Sequence, residues 1–247
     1  MSLRNKKILF LVEGEKTEPT SIKNIASKMF SLFEEDYDIV SYKTTIYELY
    51  EELVNDPMMS LTGLLLSKNL ITLEKGVLSK EAFSSIFLVF DFEPNYQKYS
   101  DDTIRNLLSF FDDETDNGKL YINYPMFEST FYIDDYDNPI QSFKPIPLSE
   151  CYGKIFKMKT KQITCFKSNT HLYLDLSRNQ DVLCSIRWNY IKAINLSKKD
   201  KVDYKKILET QIATKNNSKT IIVLSTFVLL IIDYNPSVVK LIESNFY

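Results

Sequence analysis

The sequence predicts an α/β protein built on a mainly parallel sheet flanked by helices, followed by a mostly helical C-terminal region. Three observations carry that prediction. One apolar run, Ile8-Leu9-Phe10-Leu11-Val12, stops at Glu13-Gly14-Glu15, and a second, Ile86-Phe87-Leu88-Val89-Phe90, stops at Asp91-Phe92-Glu93. Stretches with apolar residues at helical spacing separate and follow these runs. Unbroken Val, Ile, Leu and Phe suit strands buried on both faces, and strands alternating with helices indicate βαβ units.

Taken in order, the first strand leads through Glu13 to Pro19 into a helix whose Ile22, Ile25, Ala26, Met29 and Phe30 share one face. Asp38 to Thr45 suits a second strand, and Tyr47 to Val54 a helix with paired acids outside. Residues 57–82 are ambiguous; their leucines suit helices, while Lys75-Gly76 suggests a stop. After the second acidic strand, Pro94-Asn95 breaks the element. Ser100 or Asp101 then caps a helix carrying Ile104, Leu107, Leu108 and Phe111. The acidic run Asp112 to Asp116 ends at the turn signal Asn117-Gly118, and Leu120 to Tyr124 makes a third strand, closed by Pro125 and followed by Glu128. Phe143-Lys144-Pro145-Ile146-Pro147 reads as a joint, dividing an α/β domain at 1–145 from a mostly helical region at 146–247. Helices are expected over Val182 to Ile194, Lys201 to Thr214 and Pro236 to Ser244.

Composition narrows the chemistry. The chain has 247 residues, enough for one large core or two small ones, with 44% hydrophobic and 26% charged residues. Only five glycines occur, and neither a dinucleotide-binding nor a Walker-type glycine motif is present, which argues against those nucleotide sites. The net charge of −3 supplies no global field for nucleic acid, so such binding needs a local patch or a partner. Cys151, Cys165 and Cys184 are widely spaced and point to reduced thiols in a cytoplasm. A single histidine, His171, excludes mechanisms built on several imidazoles and reads as a loop or surface residue. Sixteen Tyr and sixteen Phe read as core filling. Ile221 to Ile232, apolar except for Ser225 and Thr226, is too short for the roughly 20 residues a membrane span needs. It reads as a buried helix or a docking surface, and the chain as cytoplasmic with no membrane association.

The acids carry the candidate chemistry. Two parallel strands ending in carboxylates place them at the sheet edge where α/β proteins bind ligands. Clustered carboxylates repel one another, and a divalent cation keeps them ionised together. On an extended segment Asp91 and Glu93 point the same way, with Phe92 turned into packing. Together they suit Mg²⁺ or Mn²⁺, with Glu13 as general acid or base, or as a ligand. Hydrolysis or transfer at a phosphodiester fits. Acids also end strands simply because strands end at solvent.

The segment Leu11-Val12-Glu13-Gly14-Glu15-Lys16-Thr17-Glu18-Pro19 resembles the opening motif of TOPRIM-like proteins of bacterial phage-defence loci. These are the RloB and abortive-infection type, the nuclease subunit of the PARIS system and, more distantly, the overcoming-lysogeny-defect nucleases. Phe90-Asp91-Phe92-Glu93-Pro94 resembles their second motif, where Asp-x-Asp is commoner, and Gly118 to Ser129 resembles a third block. The resemblance covers roughly residues 7–130. It implies a TOPRIM fold and a Mg²⁺-dependent nuclease acting on RNA, tRNA included, or DNA. Glu13 would be the catalytic glutamate, Asp91 and Glu93 the metal pair, and Glu128 a further ligand. It also implies a partner ATPase and admits self-association. Glu93 in place of aspartate admits an alternative: a catalytically inactive subunit serving as sensor or scaffold for the ATPase.

Other residues have two readings. Lys16 suits a phosphate contact or plain solvent exposure, and Glu15 and Glu18 suit the N-terminus of the first helix, where negative charge is favourable. Lys154, Lys157 and Lys161, within a run to Lys167 lacking any acid, suit a nucleic-acid track or the wet face of an amphipathic element.

Overall fold

The computed structural model describes residues 7–29, 36–73, 77–78, 82–133, 144–163, 179–198 and 201–244; at 26–29, 163, 179–180 and 243–244 the backbone alone is described. The expectations for Phe30, Lys75-Gly76, Cys165, Lys167 and His171 lie outside the described residues. The chain forms two compact units, Met1–Tyr121 and Ile122–Tyr247.

The first unit begins β1 (Lys7–Val12), α1 (Thr17–Met29), β2 (Tyr37–Ser41), α2 (Ile46–Asn55), α3 (Leu61–Ser67) and β3 (Phe83–Asp91). It continues through α4 (Asp101–Phe110) and β4 (Asp112–Asp113) into β5 (Gly118–Tyr124). The strand order is β2-β1-β3-β5-β4. β1 runs parallel to both neighbours, with Val12 opposite Ser41 on one side and Val89 on the other. Ile8 to Val12 are fully buried, as a central strand covered on both faces requires.

Helices cover the sheet through the residues their periodicity marks. α1 buries Ile22 and Ile25, α2 buries Ile46, Leu49 and Leu53, and α4 buries Ile104, Leu107 and Leu108. Ser100 caps α4, its hydroxyl accepting from the Thr103 N–H at 2.9 Å. The acidic run opens as a short antiparallel strand, Asp112 facing Lys119 and Asp113 facing Gly118. Gly118 has φ +94° and a Cβ there would stand 2.3 Å from Leu88 Cδ1, so the turn into β5 needs glycine twice over.

The unit boundary falls inside β5, upstream of the joint expected at Phe143–Pro147. The reason lies in packing: the 3-10 turn Phe127–Phe131 packs with the elements of the second unit. That unit holds β6 (Ile146–Pro147), α5 (Gly153–Ile163), α6 (Asn179–Ser197), α7 (Tyr204–Ser218), β7 (Thr220–Ile221), β8 (Leu224–Ser225), α8 (Leu230–Tyr234) and α9 (Val238–Ser244). The segment Ile221 to Ile232 is buried throughout, so it is core and not an open docking surface. It is also no single helix. Leu224–Ser225 pairs antiparallel with Asn123–Tyr124, and the helix forms only from Leu230. Ser225 and Thr226 interrupt the apolar run because they bond β5: Ser225 Oγ lies 2.9 Å from Asn123 Oδ1, and Thr226 Oγ1 donates to the Ile122 carbonyl at 2.9 Å. Among the described residues, no helix is long and apolar enough to cross a membrane.

Candidate functional site

The order of the first three strands creates the site. β1 connects through α1 to β2 on one side, and the chain then crosses through α2 and α3 to β3 on the other. The crevice at the carboxyl end of β1 is therefore a topological switch point, where open α/β sheets bind ligands. Glu13 follows β1 there, Asp91 ends β3 and Glu93 lies just beyond it.

Backbone bonds fix Glu13 in place. Its carbonyl accepts from the Lys43 N–H at 3.1 Å and from Ser41 Oγ at 3.4 Å. Its carboxyl group accepts from the backbone N–H of Asp91. Burial raises the Glu13 pKa most, repulsion by Glu93 adds to it, the Asp91 N–H opposes it and Glu18 adds a further rise; the outcome is about 8. Burial also raises Glu93 above the ordinary carboxyl range. Oε2 of Glu13 and Oε2 of Glu93 are both buried without a hydrogen-bond partner. Two acids sharing one crevice, each with an uncompensated oxygen, are costly unless protons or a cation neutralise them.

Strand alternation does not bring Glu93 to Glu13. β3 ends at Asp91, and Glu93 has φ +39°, a left-handed conformation unusual for a residue with a side chain. Phe92 is fully buried against Tyr99, as its place between two acids predicts. The Phe92 carbonyl accepts from Tyr47 Oη at 2.8 Å, which fastens the turn to the first turn of α2. Asp91, the last residue of β3, lies beside Glu13, its backbone N–H bonded to that carboxyl group.

Glu18 belongs to this group, although its position suggested a helix-end role alone. Its carboxyl atoms lie 2.2 to 2.7 Å from where a Cβ on Gly14 would stand, so the acid folds over the glycine toward Glu13. It remains in the first turn of α1, and the helix-end role holds as well. The sequence carried one sign of this, a glycine directly after Glu13. Lys43 was also missed: it pairs with Glu15 at 2.6 Å and follows β2 at the same edge. Lys16 is exposed beside Glu15.

The remaining predicted residues lie in the second unit. Glu128 pairs with Lys157 at 2.9 Å, so the predicted metal ligand and the predicted phosphate contact satisfy each other. Lys154 and Lys161 are exposed on α5. Phe156 anchors that helix, buried and stacked on Tyr132 at 5.7 Å between centroids. Ile155 and Met158 of α5 are exposed, at 54% and 62%, so the helix is buried through Phe156 and Thr160 and not along the whole apolar pattern.

The donor set fits a hard divalent cation, since Mg²⁺ needs only one or two carboxylates and keeps several waters. Among the described residues no group of three or more His, Cys, Asp or Glu side chains is arranged to hold a metal. Searches against family models, curated proteins and solved structures find no match to this chain.

Proposed function

We propose that this chain is a Mg²⁺- or Mn²⁺-dependent nuclease of TOPRIM type. It would act as the effector of a bacterial phage-defence system with a partner ATPase, hydrolysing phosphodiester bonds in RNA, tRNA included, or in DNA. The observation that carries the reading is the convergence of Glu13 and Glu93 at a switch point, each with a buried, unpartnered carboxyl oxygen. The motif resemblance supplies the substrate class and the biological setting.

Glu13, Glu93 and Asp91 are the residues that would hold the cation. When bound, it would offset phosphate charge and lower the pKa of its water. Without the cation Glu13 keeps its proton up to about pH 8; it would give that proton up as the ion binds, leaving the carboxylate to hold the metal or to accept a proton from the attacking water. The Asp91 N–H orients the Glu13 carboxyl, and Gly14 leaves room for Glu18 beside it.

Cleavage of total RNA, tRNA and plasmid DNA in Mn²⁺ or Mg²⁺ tests this. The wild type is expected to cut one class, and Glu13→Gln and Asp91→Asn to lose about a hundredfold or more while keeping the native circular dichroism spectrum. The second reading, a catalytically silent subunit, draws on the lack, among the described residues, of three acids grouped to hold a metal and on the left-handed Glu93. Absence of any cut in either metal by folded wild type would favour it.

A further inference from the structure

Lys43 follows β2 at the sheet edge that carries Glu13. The loop it occupies runs from one acid to the other: Tyr42 N–H donates to the Val12 carbonyl at 2.8 Å and Lys43 N–H to the Glu13 carbonyl, while Tyr47, four residues on, reaches the carbonyl just before Glu93. Lys43 itself has φ +67°, a left-handed turn that carries β2 off the sheet edge into α2. Thr45 heads α2 without capping it, and its Oγ1 is buried without a partner. The loop therefore bonds Lys43 to Glu13 through the backbone and leaves its ammonium group at the same sheet edge, beside Glu15.

The partner of Lys43 is Glu15, and both side chains are largely exposed, at 61% and 59%. An ion pair in that setting contributes little net stability. Exchange of Glu15 for a phosphate costs correspondingly little, and it would place a positive charge over the anionic backbone beside the acids.

We propose that Lys43 is the phosphate-contacting residue of this site, held by Glu15 until nucleic acid takes its place. This assignment rests on the nuclease reading. The test is fluorescence anisotropy of fluorescein-labelled single-stranded RNA and DNA oligonucleotides, in Ca²⁺ to suppress turnover, over a range of salt concentrations. Lys43→Gln is expected to weaken binding about five- to tenfold and to reduce the salt slope by about one. Glu15→Gln is expected to do the opposite and tighten binding two- to threefold, because it removes the competing anion. A purely structural ion pair would move both variants in the same direction. Unchanged affinity and slope in Lys43→Gln, or shifts of one sign in both variants, overturn the assignment and leave the nuclease reading standing. Wild-type protein that binds neither strand overturns both.

Discussion

Buried polar groups are treated differently in the two units. In the second unit they answer one another. Gln211 exchanges two bonds with the backbone of Ile222, at 2.7 and 3.0 Å. Asn189 accepts from the Ser225 N–H at 2.8 Å and donates to the Ser185 carbonyl at 2.9 Å, and Ser185 Oγ donates to the Thr130 carbonyl at 2.7 Å. The buried side-chain atoms left over there include Asn123 Nδ2 and Trp188 Nε1, both neutral donors. At the carboxyl edge of the first unit the leftovers include Glu13 Oε2 and Glu93 Oε2, oxygens of two ionisable groups whose charges repel. Folding has no use for that second arrangement, because burial of an unpaired acid costs more than burial of an unpaired amide. The polar groups of the second unit hold the fold together, whereas the acids of the first cost it stability.

The sharpest way to break the comparison is to mutate both sides and read the sign. Asn189→Ala leaves the Ser225 N–H buried without its acceptor and is expected to lower unfolding stability by about 2–3 kcal/mol. Glu13→Gln is expected to raise it. The folded protein holds the Glu13 proton up to about pH 8, against 4.5 for the free group, so the wild type binds more protons folded than unfolded across that interval. Stability contributed by this group is complete below about pH 4.5 and is lost as pH rises toward 8. Glutamine removes that loss, giving a gain of roughly 1–3 kcal/mol at pH 8 and none at pH 4. Urea titrations at the two pH values read both variants; a destabilised Glu13→Gln at pH 8 would mean that the acid pair is a structural element after all.

Divalent cation provides the next test. A ligand that binds only the folded state stabilises it by about 1.4 kcal/mol at ten times its Kd. Mn²⁺ is expected to raise the wild-type melting temperature and leave Glu13→Gln unmoved. Because Glu13 must lose its proton to receive the ion, the effect should grow from pH 6 to about pH 8 and then level off. A Mn²⁺ shift that is flat with pH, or equal in Glu13→Gln, would place the ion elsewhere.

Much of this was legible in the residues, and the parts that were not share a cause. The strands around Phe10, Phe87 and Ile122 announce themselves because parallel strands buried on both faces are continuous apolar runs. Glu13 and Glu93 are legible as acids closing such runs. Their approach is legible too, as the ends of neighbouring parallel strands; the left-handed turn that holds Glu93 beyond the end of β3 is not. Ile221 to Ile232 misled because a short apolar run has no period to separate strand from helix. The bonds of Ser225 and Thr226 to β5 decided it. Glu18 and Lys43 were hidden for another reason. A carboxylate in the first turn of a helix and a lysine on a polar loop both have sufficient local explanations, and only tertiary proximity to Glu13 sets them apart.

The smallest effect tests whether the acidic group has an internal rank. Glu93 raises the Glu13 pKa more than Glu18 does, and each acts through its charge. Both Glu93→Gln and Glu18→Gln should then lower the pH at which Glu13 titrates, followed by the ¹³C shift of its carboxyl carbon, with Glu93→Gln giving the larger displacement. Glutamine keeps the length of each side chain and removes only the charge, so the comparison isolates repulsion from packing. A larger displacement from Glu18→Gln would put Glu18, folded over Gly14, nearer to Glu13 than Glu93 is, and the proposed cation ligands would then be Glu13 and Glu18.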